Sequence, residues 1–120
     1  LKKEGLRLSE KSDYDPFVGK RPHVKDLTPY EVDKLAQADP AYANMICRCE
    51  KVSEAEIVQA IRAGHTTLDG IKYFTRAQMG RCQGGFCTYK IIKIIMRETG
   101  LSWDEITKNG DGSRILKDAL

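Results

Sequence analysis

The stretches Cys47-Arg48-Cys49 and Cys82-Gln83-Gly84-Gly85-Phe86-Cys87 decide how this chain is interpreted. They hold all four of its cysteines, in two close pairs separated by residues 50–81. Close pairs that lie far apart in sequence suggest that the fold brings four sulfurs to one point. Four thiolates around one point form a metal or iron–sulfur site.

The spacing also constrains the backbone that carries the cysteines. Residues two apart on a helix point about 200° apart around its axis, so Cys47 and Cys49 need an extended or turning backbone. The Gly84-Gly85 pair likewise favours a loop for the second stretch. Both pairs precede predicted helix starts, where free N–H groups and the helix dipole favour negatively charged thiolates.

Two kinds of metal centre are compatible with this pair of loops. Structural zinc sites usually place two residues between neighbouring ligands, whereas the gaps here are one and four residues. A [2Fe–2S] cluster with four cysteine ligands fits better, with one sequence pair on each iron. Zinc is the alternative occupant. Two disulfides are a third possibility, but the cysteines are sparse for a disulfide scaffold and nothing suggests secretion.

Capping signals divide the rest of the chain into helices. Thr28-Pro29-Tyr30-Glu31 is a capping box that predicts a first helix ending before Pro40. Ser53-Glu54-Ala55-Glu56 repeats this device and predicts a second helix that ends at Gly64.

Three further helices are expected after Gly64. The third opens at Thr66 or Thr67, and the fourth runs from about Thr88 to Thr99 with an apolar stripe. Ser102 is expected to cap a short fifth helix. Since no segment alternates cleanly enough to be a strand, the predicted fold class is all-α. We expect a small helical domain with an extended N-terminal arm.

The composition limits the size and class of the protein. With 120 residues, the chain has room for one small domain and an appended arm. We assign residues 1–40 to an arm or linker with one helix, and residues 41–120 to the metal-binding helical domain. A chain that begins with Leu1 is expected to be a piece of a longer polypeptide.

Charge and hydropathy exclude several partners. The net charge of +3 comes from interspersed basic and acidic residues, which argues against a nucleic-acid partner. The longest apolar run, around Ile91–Met96, is too short to span a bilayer. Since no signal peptide is visible, we expect a cytoplasmic location.

The motifs around the cysteines resemble a known family. One half is Cys47-Arg48-Cys49-Glu50 with Val52-Ser53-Glu54, and the other is Met79-Gly80-Arg81-Cys82-Gln83-Gly84-Gly85-Phe86-Cys87. Over roughly residues 41–100 the chain resembles the [2Fe–2S]-binding domain named after bacterioferritin-associated ferredoxin. The most similar version lies at the C-terminus of FAD-dependent glycerol-3-phosphate dehydrogenases and related flavin oxidoreductases.

This resemblance implies a ligand set, a parent enzyme and its partners. Cys47, Cys49, Cys82 and Cys87 would bind the cluster, and FAD would belong to the presumed parent only. That parent would oxidise glycerol 3-phosphate to dihydroxyacetone phosphate on FAD and pass the electrons onward. The implied partners are the flavin domain of the parent chain and an electron acceptor, either a protein or a small carrier.

Three features depart from the family pattern. The ferredoxin has two residues between its last two cysteines, where this chain has four. Relatives on the glycerol-phosphate branch often carry glycine at the position of Gln78, and a proline soon after Cys87 that is absent here. These departures touch no ligand, but they weaken the assignment to one substrate.

Other side chains have two interpretations each. Arg48, Arg76 and Arg81 either offset the negative cluster or dock an acidic partner, or else they are ordinary solvated arginines. Met79 and Phe86 either shield the cluster or belong to the core. His65 is expected at a helix end, and Trp103 is expected to anchor the last helix in the core or to a partner. His23 lies in the arm and carries no prediction.

The sequence contains no catalytic constellation and no nucleotide fingerprint. Whether the whole protein is an enzyme therefore depends on its presumed parent, since this stretch alone should lack dehydrogenase activity. We predict an electron-transfer module. A structural zinc-binding interaction module and a cluster-sensing regulatory domain are the alternatives.

Overall fold

The computed structural model describes residues 5, 9, 11–17 and 21–116, so part of the predicted arm lies outside the described residues. Two 3-10 turns, at Val24–Asp26 and Pro40–Tyr42, flank the first helix. The helices and strands are α1 (Pro29–Ala38), β1 (Met45–Cys47), β2 (Val52–Ser53), α2 (Glu54–Arg62), α3 (Leu68–Thr75) and α4 (Thr88–Thr99).

The capping residues start the helices as the sequence predicts. Thr28 and Ser53 each accept a hydrogen bond from the backbone N–H three residues on, and a glutamate reaches back to each cap. Thr67 caps α3 in the same way, through the N–H of Gly70. Capping boxes satisfy N–H groups that a helix start would otherwise leave unpaired. The start of each of these helices can therefore be predicted from a few neighbouring residues.

The prediction of an all-α class is wrong. β1 and β2 pair antiparallel, with Met45 opposite Ser53 and Cys47 opposite Val52. The two strands are three and two residues long, too short for an alternating pattern to be visible. They form because the chain reverses around the first cysteine pair, which brings buried Val52 beside buried Cys47. The described residues therefore form a small mixed fold of four helices and a two-stranded sheet.

The predicted fifth helix is also wrong. Ser102 does make its capping contacts, since its backbone N–H and its hydroxyl both donate to the Glu105 carboxylate at 2.8 Å. Only a turn follows, at residues 103–105. Ile106 is fully buried, and Thr107 pairs with Arg114 across a glycine-containing turn. That local pairing uses the backbone groups that a continuing helix would need.

One apolar core holds the metal-site end of the molecule together. α4 contributes four buried isoleucines, Ile91, Ile92, Ile94 and Ile95. Full burial of one such side chain stabilises a fold by roughly 1.5–3 kcal/mol. The core also includes Cys47 and Cys87, so two of the four thiols are structural core residues.

A second, smaller core joins α1 to the rest of the chain. It consists of Val24, Tyr42 and Ala55, against which α1 packs Val32 and Leu35. This second core therefore contains residues from both sides of the predicted boundary at position 40. The division at residues 1–40 and 41–120 stays a prediction. Among the described residues, every helix is too short or too polar to cross a membrane.

Candidate metal centre

The first cysteine loop is the reversal between β1 and β2. β1 ends on Cys47, which is 1% exposed, and residues 48–51 turn the chain back. Cys49 lies in that turn and is exposed. Lys51 completes the turn in the left-handed region, at φ 51°. The extended and turning backbone that the spacing required is therefore present, and it directs one sulfur inward and the other outward.

The second cysteine loop connects α3 to α4 through a series of turns at residues 81–87. Gln83 and Gly84 adopt left-handed φ values of 47° and 85°, which reverse the chain tightly. The Thr88 hydroxyl donates to the Gly84 carbonyl at 2.7 Å and holds the loop against α4. Cys87 is the N-cap of α4 and Cys82 opens the loop, so the loop again has a buried and a more exposed thiol.

The two loops pack directly against each other. A Cβ atom built on Gly80 would overlap the Cβ of Cys49, so only glycine allows this approach. The Arg76 guanidinium also donates to the Glu50 carboxylate at 3.1 Å. Because Glu50 follows the first pair and Arg76 precedes the second, this ion pair ties the loops together beside the thiols.

All four cysteines line a single pocket of about 360 Å³, and the other lining residues are Ile46, Arg48, Phe86 and Lys90. The Cys49 thiol donates to the Cys82 sulfur at 3.5 Å. Cys47 and Cys87, both 1% exposed, face each other at the inner end. The contacts of Cys49 with Cys82 and of Cys47 with Cys87 both join the two loops.

Cys82 and Cys87 differ in acidity. Burial, followed by the nearby Cys47 sulfur, raises the pKa of Cys87 to about 12. The Cys49 thiol, then the backbone N–H groups of Gly84 and Phe86, lower the pKa of Cys82 because they donate to its thiolate. The same N–H groups would donate to a metal-bound sulfur.

The donor set fits a centre larger than a single ion. Two sulfurs bound at about 2.3 Å to one tetrahedral metal lie roughly 3.8 Å apart, close to the Cys49–Cys82 distance. Within the described residues, however, no group of three or more His, Cys, Asp or Glu side chains is tight enough to hold one metal ion. Four thiols around one pocket, in contact as Cys49 with Cys82 and Cys47 with Cys87, suit two linked metal ions.

The structure separates the two interpretations of several predicted residues. Arg48 lines the pocket, whereas Arg81 is exposed without lining it and Arg76 is held by Glu50. Phe86 is 84% exposed at the pocket, so it is not a core residue. Met79 is half-buried and does not line the pocket.

The remaining aromatic and histidine candidates lie away from the pocket lining. The His65 ring packs on Phe74 with 4.6 Å between centroids, a structural contact near the end of α2. His23 approaches the buried Glu56 carboxylate at 3.2 Å and links residues before α1 to α2. Trp103 packs partly against the core and stacks on Tyr89 at 5.4 Å.

Sequence reasoning missed three contributors to the site. Lys90 lines the pocket from the first turn of α4, a position readable as the third residue after Cys87. Gly80 makes the loop–loop contact, and its place in the motif was the available signal. Gln78 is buried at φ 72°, donates to Thr88 at 2.9 Å and directs its backbone N–H at the Cys87 sulfur. Glycine would adopt the left-handed φ of this position without strain.

Comparison with known proteins agrees with this geometry. A family model described as "BFD-like [2Fe-2S] binding domain" matches residues 45–97, which contain both cysteine loops. A glycerol 3-phosphate dehydrogenase from Caloramator mitchellensis is 40% identical over 118 residues, covering 97% of this chain and 25% of that protein.

Shorter matches extend to other oxidoreductases. The HcnB component of hydrogen cyanide synthase from Pseudomonas aeruginosa is 40% identical over 67 residues, 56% of this chain and 14% of that protein. An opine oxidase component from Rhizobium meliloti strain 1021 is 41% identical over 61 residues, 47% of this chain and 13% of that protein. The chain thus spans a quarter or less of the length of these relatives. No solved structure matches it significantly.

Proposed function

This chain belongs, through residues 45–97, to the family of BFD-like [2Fe-2S] binding domains, and from that premise we propose that it is an electron-transfer module. Cys47, Cys49, Cys82 and Cys87 are the proposed ligands of the cluster. The observation that carries this assignment is that all four thiols line one pocket although they come from two distant loops.

The chain's own residues account for what such a module needs. When bound, a [2Fe–2S] cluster takes up and releases one electron. The core around Cys47 and Cys87 excludes water from the inner end of the pocket. Backbone N–H groups of Gly84 and Phe86 near Cys82, and of Gln78 near Cys87, can donate to the ligand sulfurs. Such hydrogen bonds and the limited solvent exposure are the protein's means of setting a reduction potential.

The geometry favours this cofactor over structural zinc. A zinc site gathers four ligands tightly around one tetrahedral ion. The thiols here line a pocket of about 360 Å³ and contact each other in twos, Cys49 with Cys82 and Cys47 with Cys87. The outer pair is also accessible to a redox partner, which a purely structural site does not require.

We further propose that the module serves a larger flavin oxidoreductase. Support comes from the matching glycerol-3-phosphate dehydrogenase and opine oxidase component, each several times longer than this chain. FAD and the oxidation of glycerol 3-phosphate would belong to that larger protein, and its flavin domain would supply electrons. A cytoplasmic location is part of the proposal, because the four cysteines are free and would stay reduced there.

Anaerobic purification followed by metal and sulfide analysis tests the proposal. We expect two irons and two acid-labile sulfides per chain, with visible absorption that bleaches by one electron per chain on reduction. A double Cys49→Ser, Cys82→Ser variant should lose this absorption. A colourless protein that holds one zinc ion per chain after anaerobic purification, and that takes up no electron, would contradict it.

A further inference from the structure

The positive charge of this protein is concentrated around the cysteine loops. Residues 45–53 and 76–93 contain six arginine or lysine side chains and one acidic residue, Glu50. This excess of five positive charges is larger than the net charge of +3 of the whole chain. Glu50 is held by Arg76 at 3.1 Å, so the one acidic side chain of these segments is already paired.

The other five cations of these segments form no ion pair with an acid among the described residues. We define the basic rim as Arg48, Lys51, Arg81, Lys90 and Lys93, all of which are exposed. Arg48 and Lys90 line the pocket itself, and they are its two charged non-cysteine residues. Elsewhere in the described part of the chain, three exposed cations, Arg62, Arg97 and Lys108, each pair with an acid, whereas others such as Lys34 do not.

Exposed aromatic side chains lie within this rim. Phe86 is 84% exposed at the pocket and Tyr89 is 57% exposed one turn further along. The Lys93 ammonium lies 4.8 Å from the centre of the Tyr89 ring, so rim cations and aromatics share one face of α4. Exposed aromatics beside cations are typical of binding surfaces, where the rings bury area and the charges orient the partner.

We propose that the basic rim with Phe86 and Tyr89 is a docking surface for a separate, acidic electron-transfer protein. This inference rests on the proposed function, because it places the partner over the outer thiols Cys49 and Cys82. A partner with carboxylates around its own redox centre would pair them with the rim and cover Phe86. One electron would pass between the two centres, so that one is oxidised as the other is reduced.

The charge pattern favours a diffusing partner over a domain of the same polypeptide. Long-range electrostatic attraction raises the rate at which two free molecules meet and orients them in the encounter. A tethered domain already has a high effective concentration and gains little from such attraction. A concentrated positive rim therefore suits exchange with a free protein better than exchange with a tethered domain.

The first experiment measures direct binding. Isothermal titration of the full chain with a flavodoxin, an acidic FMN protein, should give one-to-one binding at 20 mM salt that is lost at 1 M salt, where charges are screened beyond about 3 Å. Lys90→Glu and Lys93→Glu should each weaken binding about tenfold. Lys34→Glu, the same charge change on α1 outside the rim, should change it less than twofold.

The second experiment measures electron transfer in the cluster-loaded chain. Stopped-flow oxidation of the reduced protein by ferricyanide, an anion that accepts one electron to give ferrocyanide, should slow as salt rises. Oxidation by the cation tris(phenanthroline)cobalt(III), which accepts one electron to give cobalt(II), should accelerate. Lys90→Glu and Lys93→Glu should each lower the ferricyanide rate at low salt, whereas Lys34→Glu should not.

The outcomes separate this inference from the proposed function. Absence of flavodoxin binding at low salt, or equal weakening by Lys34→Glu, overturns the docking surface even if the cluster is present and active. Binding to phosphatidylglycerol vesicles in place of flavodoxin also overturns it, in favour of an anionic lipid surface. A chain without a cluster contradicts the proposed function, while the titration still decides whether the rim binds an acidic protein.

Discussion

The inner thiols, Cys47 and Cys87, and the outer thiols, Cys49 and Cys82, are the same chemical group in opposite surroundings. The inner pair is 1% exposed and belongs to the apolar core, while Cys49 is exposed and Cys82 is partly so. Yet each loop contributes one thiol to each pair. One end of the proposed centre is therefore built like a protein core, and the other like a binding surface.

The inner and outer thiols are positioned by different parts of the fold. Cys47 is fixed by a strand and Cys87 by the N-terminus of α4, both of which the core positions. The outer thiols are then placed by the turns between these anchors and by the contact of Gly80 with Cys49. Folding of the apolar core thus positions the inner pair, and local turn geometry positions the outer pair.

The sharpest test of this comparison is the reactivity of the thiols in the metal-free chain. At pH 8, a thiol with a pKa of about 12 is ionised to about one part in ten thousand, which applies to Cys87. The pKa of Cys82 is lowered, so more of its reactive thiolate is present. We expect iodoacetamide to modify Cys82 on the order of a thousandfold faster than Cys87, as followed by peptide mass spectrometry.

The pH dependence of that reaction has a definite sign. Below its raised pKa, the Cys87 thiolate fraction rises about tenfold for each pH unit, whereas Cys82 approaches saturation at lower pH. The ratio of the Cys82 reaction rate to the Cys87 reaction rate should therefore decrease between pH 8 and pH 10. In urea all four thiols should react alike. Equal rates for Cys82 and Cys87 in the folded chain would show that the inner and outer pairs are not distinct.

Serine substitution should separate the pairs by stability. In the metal-free chain, Cys87→Ser places a hydroxyl in the apolar core and should lower the free energy of unfolding by about 1–3 kcal/mol. The matched change Cys82→Ser lies at the surface and should alter it by less than about 0.5 kcal/mol. Urea unfolding measures both. If the two variants lose equal stability, the inner thiols are not core residues.

The smallest effect is expected at Gln78, behind the inner pair. Gln78→Gly relieves a left-handed backbone by about 1 kcal/mol and loses the hydrogen bond to Thr88, worth about 1 kcal/mol. Stability in urea should therefore stay within about 1 kcal/mol of the parent. Gln78→Val, β-branched at the same φ, should destabilise clearly more. A large loss in the glycine variant would mean that the side chain, and not the backbone N–H toward Cys87, supports the inner pair.

Much of the helical framework was predictable because its signals are local. The caps at Thr28, Ser53 and Thr67 satisfy backbone groups within their own first turn, and α4 begins and ends at the predicted residues Thr88 and Thr99. The short sheet was not predictable, since its strands are defined by pairing across the turn. The prediction of a fifth helix from Ser102 was wrong because a capping residue starts a helix only when the following residues continue it.

By itself, the sequence determined the helix caps, the two cysteine motifs and the chemistry that four thiols can perform, because residue type and local spacing encode these. Only the tertiary structure decided which sulfurs are neighbours, which are buried, and that Lys90 and Phe86 reach the same pocket. These properties depend on how the core packs two distant loops together. Burial and proximity across residues 50–81 are consequences of that packing, and no short stretch of the chain contains them.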